Sequence, residues 1–153
     1  MSDALHLMAA NQEDASVISA MVQDAAIRVG DLAYIEEERR FAAVFNRFRW
    51  ETQSKRGLFR RGQAERVRAG LSIGDVRQIR LKSLDLKQRD EVLALLAITV
   101  EPLSEDEEDP ATRIQLIFSG GAAIAIDADC INLDLRDLGE PWPAKARPRH
   151  ALH

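Results

Sequence analysis

An α+β fold, mainly antiparallel β, with one main helix near the N-terminus, is what this sequence predicts. Three observations carry that expectation. Apolar and polar residues alternate with period two along most of the chain. One stretch, following Asn11, keeps helical spacing instead. Strand-like and helix-like segments do not alternate regularly, which argues against a doubly wound parallel sheet. The strands then form a sheet or open barrel, and both a pleckstrin-homology-like and a split-barrel-like arrangement suit the pattern.

The elements follow in order. Leu5, Leu7 and Ala9 alternate with His6 and Met8, predicting a first strand. Asn11 is a helix cap, with Asp14 near the positive helix end. Val17, Ile18, Met21 and Ala25 extend the predicted helix over about 12–25. Strands are expected from Ile27 to Val29, Leu32 to Ile35 and Phe41 to Trp50. In the last of these, Arg47 and Arg49 share one face and Phe48 and Trp50 the other. Val67 to Ile73 and Ile79 to Lys82 alternate in the same way. Val92 to Val100 is nearly all apolar, and its β-branched end with Pro102 favours a buried strand over a short helix.

Arg113–Phe118, Ser119-Gly120-Gly121 and Ala122–Asp127 form the strongest hairpin signal, because Gly-Gly supplies positive φ. Ile131, Leu133 and Leu135 alternate as a strand, although Ile131, Leu135 and Leu138 also fit a helix. One echo recurs: Ile27 to Ile35 and Leu71 to Ile79 share apolar-x-apolar-Gly-Asp-apolar-x-x-Ile. Either two halves are duplicated, or two bends both use Gly-Asp.

The 153 residues suffice for one core. We expect a single globular domain over 1–144, then an extended tail over 145–153, where Pro148 and polar residues dominate. One Cys excludes a disulfide framework within the chain, and with three His it makes a closed four-ligand zinc site hard to build. No apolar run reaches about 18 residues, and the N-terminus lacks a signal-peptide pattern. These features lead us to expect a cytoplasmic protein that spans no membrane.

Charge is unevenly spread. Residues 1–38 carry eight acids and one base, 39–68 ten bases and two acids, and 101–109 six acids and no base. The basic segment is either a local anion-attracting patch or a solvated face. Within it, Asn46-Arg47-Phe48-Arg49-Trp50-Glu51 alternates arginines with aromatics. That pattern stacks bases and meets phosphates, or it is a core strand whose arginines pair with Asp24, Asp31 or other carboxylates.

Other chemistry-bearing residues are isolated. Cys130 follows Asp127 and Asp129, and acidic neighbours oppose a thiolate, so a structural Cys is expected. His150 and His153 sit in the tail without a third ligand. Ser119-Gly120-Gly121 lacks the strand-to-helix context of a phosphate loop. No cofactor motif is present, so no cofactor is expected.

Several stretches together resemble a known family. They are Gln23-Asp24-Ala25, Val29 to Tyr34, Asn46 to Glu51, Leu96-Ala97-Ile98, Phe118-x-Gly120-Gly121 and Asp137-Leu138-Gly139-x-Pro141-Trp142. The chain is similar to the proteobacterial domain-of-unknown-function family numbered 2948 over nearly its whole length. The resemblance implies a single-domain bacterial cytoplasmic protein. It assigns no activity, cofactor or site residue.

Three functions are compatible with these features. The leading one is a non-enzymatic binding or adaptor module that meets a protein partner, with separated acidic and basic segments to steer it. Homo-oligomerisation is compatible with it. The second is RNA or polyanion binding through 39–68, with Arg47, Arg49, Lys55, Arg56, Arg60 and Arg61 as the contacting cations. The third is a small enzyme with a site built from Asp24, Asp31, Arg47 and Arg49.

Overall fold

The computed structural model describes residues 4–50 and 65–139, and the backbone of 142–143. It contains eleven strands and one α-helix among those residues. Strand β1 (His6–Ala9) leads into α1 (Gln12–Met21), then β2 (Ala25–Arg28), β3 (Leu32–Ile35) and β4 (Arg40–Phe48). After residues 51–64 come β5 (Glu65–Ile73), β6 (Val76–Lys82), β7 (Val92–Pro102), β8 (Thr112–Phe118), β9 (Ala123–Ala128), β10 (Leu133–Asp137) and β11 (Trp142–Pro143). All pairings are antiparallel, in the order β1-β10-β5-β4-β2-β7-β8-β9-β6. Off this path, β3 pairs with β4 and β11 with β5. The fold class is therefore α+β and mainly antiparallel. The sheet is open, not closed into a barrel.

The helix forms where its cap requires. Asn11 is extended (φ −146°), and its side-chain oxygen accepts the Asp14 amide at 2.8 Å. It ends at Met21, four residues before the expected end. Asp24 adopts a left-handed φ of 65°, and Ala25 is already paired with Leu95 in the sheet. Ala15 and Ile18 face the core, and the helix packs on β7 and β1. There Ser19 Oγ accepts the Ile98 amide at 2.9 Å, capping part of β7 that lies beyond β2.

One core joins inward residues from the whole sheet, with Phe41, Ala43 and Phe45 on β4, Ile114, Leu116 and Phe118 on β8, and Leu133 and Leu135 on β10. The segment read as strand or helix is a strand, because β10 pairs with β1 on one side and β5 on the other. The Gly-Gly hairpin is present, with φ of 77° at Gly120 and 87° at Gly121. The two copies of the Gly-Asp echo differ. Val29–Asp31 is a 3-10 turn, whereas Asp75 is left-handed at φ 58°. Their following strands also pair differently, β3 with β4 and β6 with β9. The expected tail, 145–153, lies outside the described residues.

Candidate functional site

The arginine–aromatic stretch ends β4. Strand alternation continues the inward row of Phe41, Ala43 and Phe45 to Arg47, whose side chain has no exposed surface. Its guanidinium donates from Nε to Asp137 Oδ1 at 2.8 Å and from Nη2 to Oδ2 at 3.0 Å. Nη1 donates to the Phe48 carbonyl at 3.0 Å. Asp137 also accepts the Leu5 amide at 2.9 Å, so one carboxylate ties β10, β4 and the start of β1 together. Burying two charges is tolerable only with such complete hydrogen bonding.

Arg49 lies on the same side and is mostly buried, with Nη1 2.6 Å from Glu65 Oε1. On the opposite face, Phe48 and Trp50 pack with ring centroids 5.2 Å apart. Arg66 lies 4.6 Å above the Phe48 ring. Trp50 Nε1 donates to the Gln23 carbonyl at 3.0 Å. Neither Asp24 nor Asp31 partners Arg47: Asp31 lies 3.6 Å from Arg28. Lys55, Arg56, Arg60 and Arg61 lie outside the described residues.

A second charged assembly, which the sequence reading did not single out, lies on the outer face of β6, β9 and β8. Across these strands run the rows Gln78–Asp127–Arg113, Arg80–Ala125–Gln115 and Lys82–Ala123–Ile117. Asp127 is nearly buried, accepting Arg113 Nε at 2.8 Å and Gln78 Nε2 at 2.9 Å. The Arg113 hydrogen bond holds its carboxyl below the ordinary value, against the opposing effect of burial. Arg80 stands farther off, 3.8 Å from Asp127 and half exposed. Lys82 has no ion pair among the described residues. Because Ala123 and Ala125 are small, the wall of Arg80 and Lys82 borders a trough of about 440 Å³.

Strand β6 is also an end of the sheet. At its start, Val76 is engaged from outside: its amide donates to the Arg39 carbonyl at 2.9 Å and its carbonyl accepts Arg39 Nε at 3.1 Å. A bulge at Arg77 follows. Arg39 and Arg77 both bind Asp129, and these bonds, led by that from Arg77, lower its carboxyl pKa. From Gln78 to Lys82, no strand pairs with the outer edge among the described residues.

Cys130, near this cluster, donates to Asp75 Oδ2 at 3.5 Å. Burial first, then Asp75, pushes its thiol pKa up, which disfavours a nucleophilic thiolate.

A family model described as a protein of unknown function, DUF2948, matches residues 5–150. The chain belongs to the DUF2948 family. No curated protein and no solved structure matches it. In this DUF2948 chain, stretches that are distant in sequence meet around the end of β4. Gln23 accepts from Trp50, Asp137 clasps Arg47, and Trp142 pairs with Arg66 through the backbone. The motif Asn46 to Trp50 is thus built into the DUF2948 framework, and the β6 edge lies elsewhere on it. The edge left little trace in sequence. Its one signal is Arg80 and Lys82 alternating with Ile79 and Leu81.

Proposed function

We propose that this protein is a non-catalytic binding module that receives an extended segment of a partner protein along the outer edge of β6. One observation carries the reading. Ile79 and Leu81 sit opposite the fully buried Ile126 and Ile124, yet Leu81 keeps 41% of its surface exposed. The core is therefore unfinished along this edge, and among the described residues no strand takes up the outer backbone groups of Gln78 to Lys82. An added strand supplies both missing parts, main-chain hydrogen bonds and apolar cover.

The test uses a capped, strand-prone peptide of about seven residues that alternates valine with polar residues. It is titrated into isotope-labelled protein and followed by amide chemical shifts and hydrogen exchange. The expected result is saturable shifts centred on residues 78–82, with slower exchange of the β6 amides. The double variant Ile79→Ser with Leu81→Ser should lose binding while keeping its dispersed spectrum. Shifts centred on the β4–β5 hairpin, or none at all, would sink the proposal. An RNA homopolymer titrated in parallel tests the polyanion reading, which gains if RNA binds and the peptide does not.

A further inference from the structure

We infer that the segment received by β6 alternates acidic with apolar residues, the acids facing Arg80 and Lys82 and the apolar residues covering Ile79 and Leu81. This inference rests on strand addition at β6 and adds the chemistry of the partner.

Strand geometry sets the alternation. Gln78, Arg80 and Lys82 project to the outer face, while Ile79 and Leu81 project towards the core side opposite Ile126 and Ile124. A strand laid beside β6 must match both faces at once. Its core-side residues continue the apolar layer that Leu81 leaves open. Its outer-face residues stand about 5 Å from Arg80 and Lys82, within direct cross-strand reach.

Charge decides what those outer residues are. Among the described residues, the carboxylate paired with Arg80 is Asp127, already held by Arg113 and Gln78 at shorter distances. Arg80 is therefore only partly neutralised, and Lys82 has no counter-ion among the described residues. Two such cations, two residues apart on one strand face, attract carboxylates spaced the same way. They repel a basic strand.

The same argument disfavours a second copy of β6 as the occupant. Antiparallel self-pairing centred on Arg80 sets Arg80 against Arg80 and Lys82 against Gln78, without a single carboxylate. Edge cations of this kind suppress self-association while leaving an acidic strand welcome.

The experiment compares three capped peptides of about seven residues: alternating valine and glutamate, alternating valine and lysine, and valine and glutamate in blocks. Binding is read from β6 amide shifts and calorimetry at low and high salt. The alternating glutamate peptide should bind about tenfold more tightly than either other peptide. Its advantage should shrink as salt rises. Arg80→Glu with Lys82→Glu should reverse the preference towards the lysine peptide, and Lys82→Glu alone should abolish most of it. The spectra of these variants report whether they fold. Equal β6 shifts from glutamate and lysine peptides would overturn the acidic preference while leaving strand addition standing. Equal binding by the block peptide would overturn the alternation. An absence of β6 shifts with every peptide would overturn both. A dimer in sedimentation experiments with protected β6 amides would show the edge already filled by a second copy.

Discussion

Arg47 and Asp137 are joined side-on by two hydrogen bonds, although β5 lies between their strands. Arg47 is registered opposite Val67 and Asp137 opposite Ala69. The long guanidinium side chain crosses β5 over these apolar neighbours to reach the carboxylate at 2.8 and 3.0 Å. Both side chains are almost wholly buried, at 0% and 3% exposure.

Removing either partner takes the two-point hydrogen bond away from a charge that stays buried. Arg47→Met or Asp137→Asn should each destabilise the protein by about 3–5 kcal/mol, read from the midpoint of urea unfolding. Arg47→Met combined with Asp137→Leu should cost less than the sum of the single changes, because both single changes break the same buried bond. Additive losses would show that the two side chains are not energetically coupled.

Ser19 is expected to stabilise a sheet edge from within a helix. Its hydroxyl oxygen accepts the Ile98 amide at 2.9 Å, and Ile98 is buried. Ser19→Ala should cost about 1–3 kcal/mol, since the amide loses its acceptor. The improved helix propensity of alanine offsets only about 0.5 kcal/mol. Exchange of the Ile98 amide should accelerate more than that of its neighbours. An unchanged Ile98 rate would mean that another acceptor takes over.

Acid should weaken the β6–β9–β8 face in a defined direction. Hydrogen bonding to Arg113 lowers the Asp127 pKa below its ordinary value of 3.8. A carboxyl depressed in the folded state contributes stability that is fully present above its unfolded pKa. That contribution is lost as pH falls through the folded pKa. Asp127→Asn should therefore lower stability at neutral pH and flatten the acid limb of the stability curve below about pH 4. Parallel curves for both proteins, measured by denaturation at stepped pH, would contradict this assignment.

Local pattern went a long way towards the framework. Asn11 announced the helix start, and Gly120-Gly121 announced the β8–β9 turn, because caps and positive-φ turns depend on a few adjacent residues. The helix end was not legible. Met21 stops it because Ala25 must pair with Leu95, seventy residues away. Leu133 to Asp137 fitted two periods equally, and pairing with β1 and β5 chose the strand. The alternation of Arg47 and Arg49 with Phe48 and Trp50 was readable, and a core strand with arginines on carboxylates was one of its two readings, but the carboxylate itself was not legible. Asp137, ninety residues distant, supplies the partner that lets Arg47 face the core.

By itself, the sequence determined the strand-dominated class, the cap, the Gly-Gly turn and the family resemblance, since each is written in nearby residues. Only the tertiary structure decided which strands are edges, which carboxylate meets which arginine, and which cations remain at the surface. Arg80 and Lys82 look no different in sequence from Arg66 and Arg68. They become a candidate site because β6 ends the sheet, Ala123 and Ala125 leave room beside them, and Asp127 is already committed to Arg113. Those are consequences of long-range pairing, which brings together groups that no local period connects.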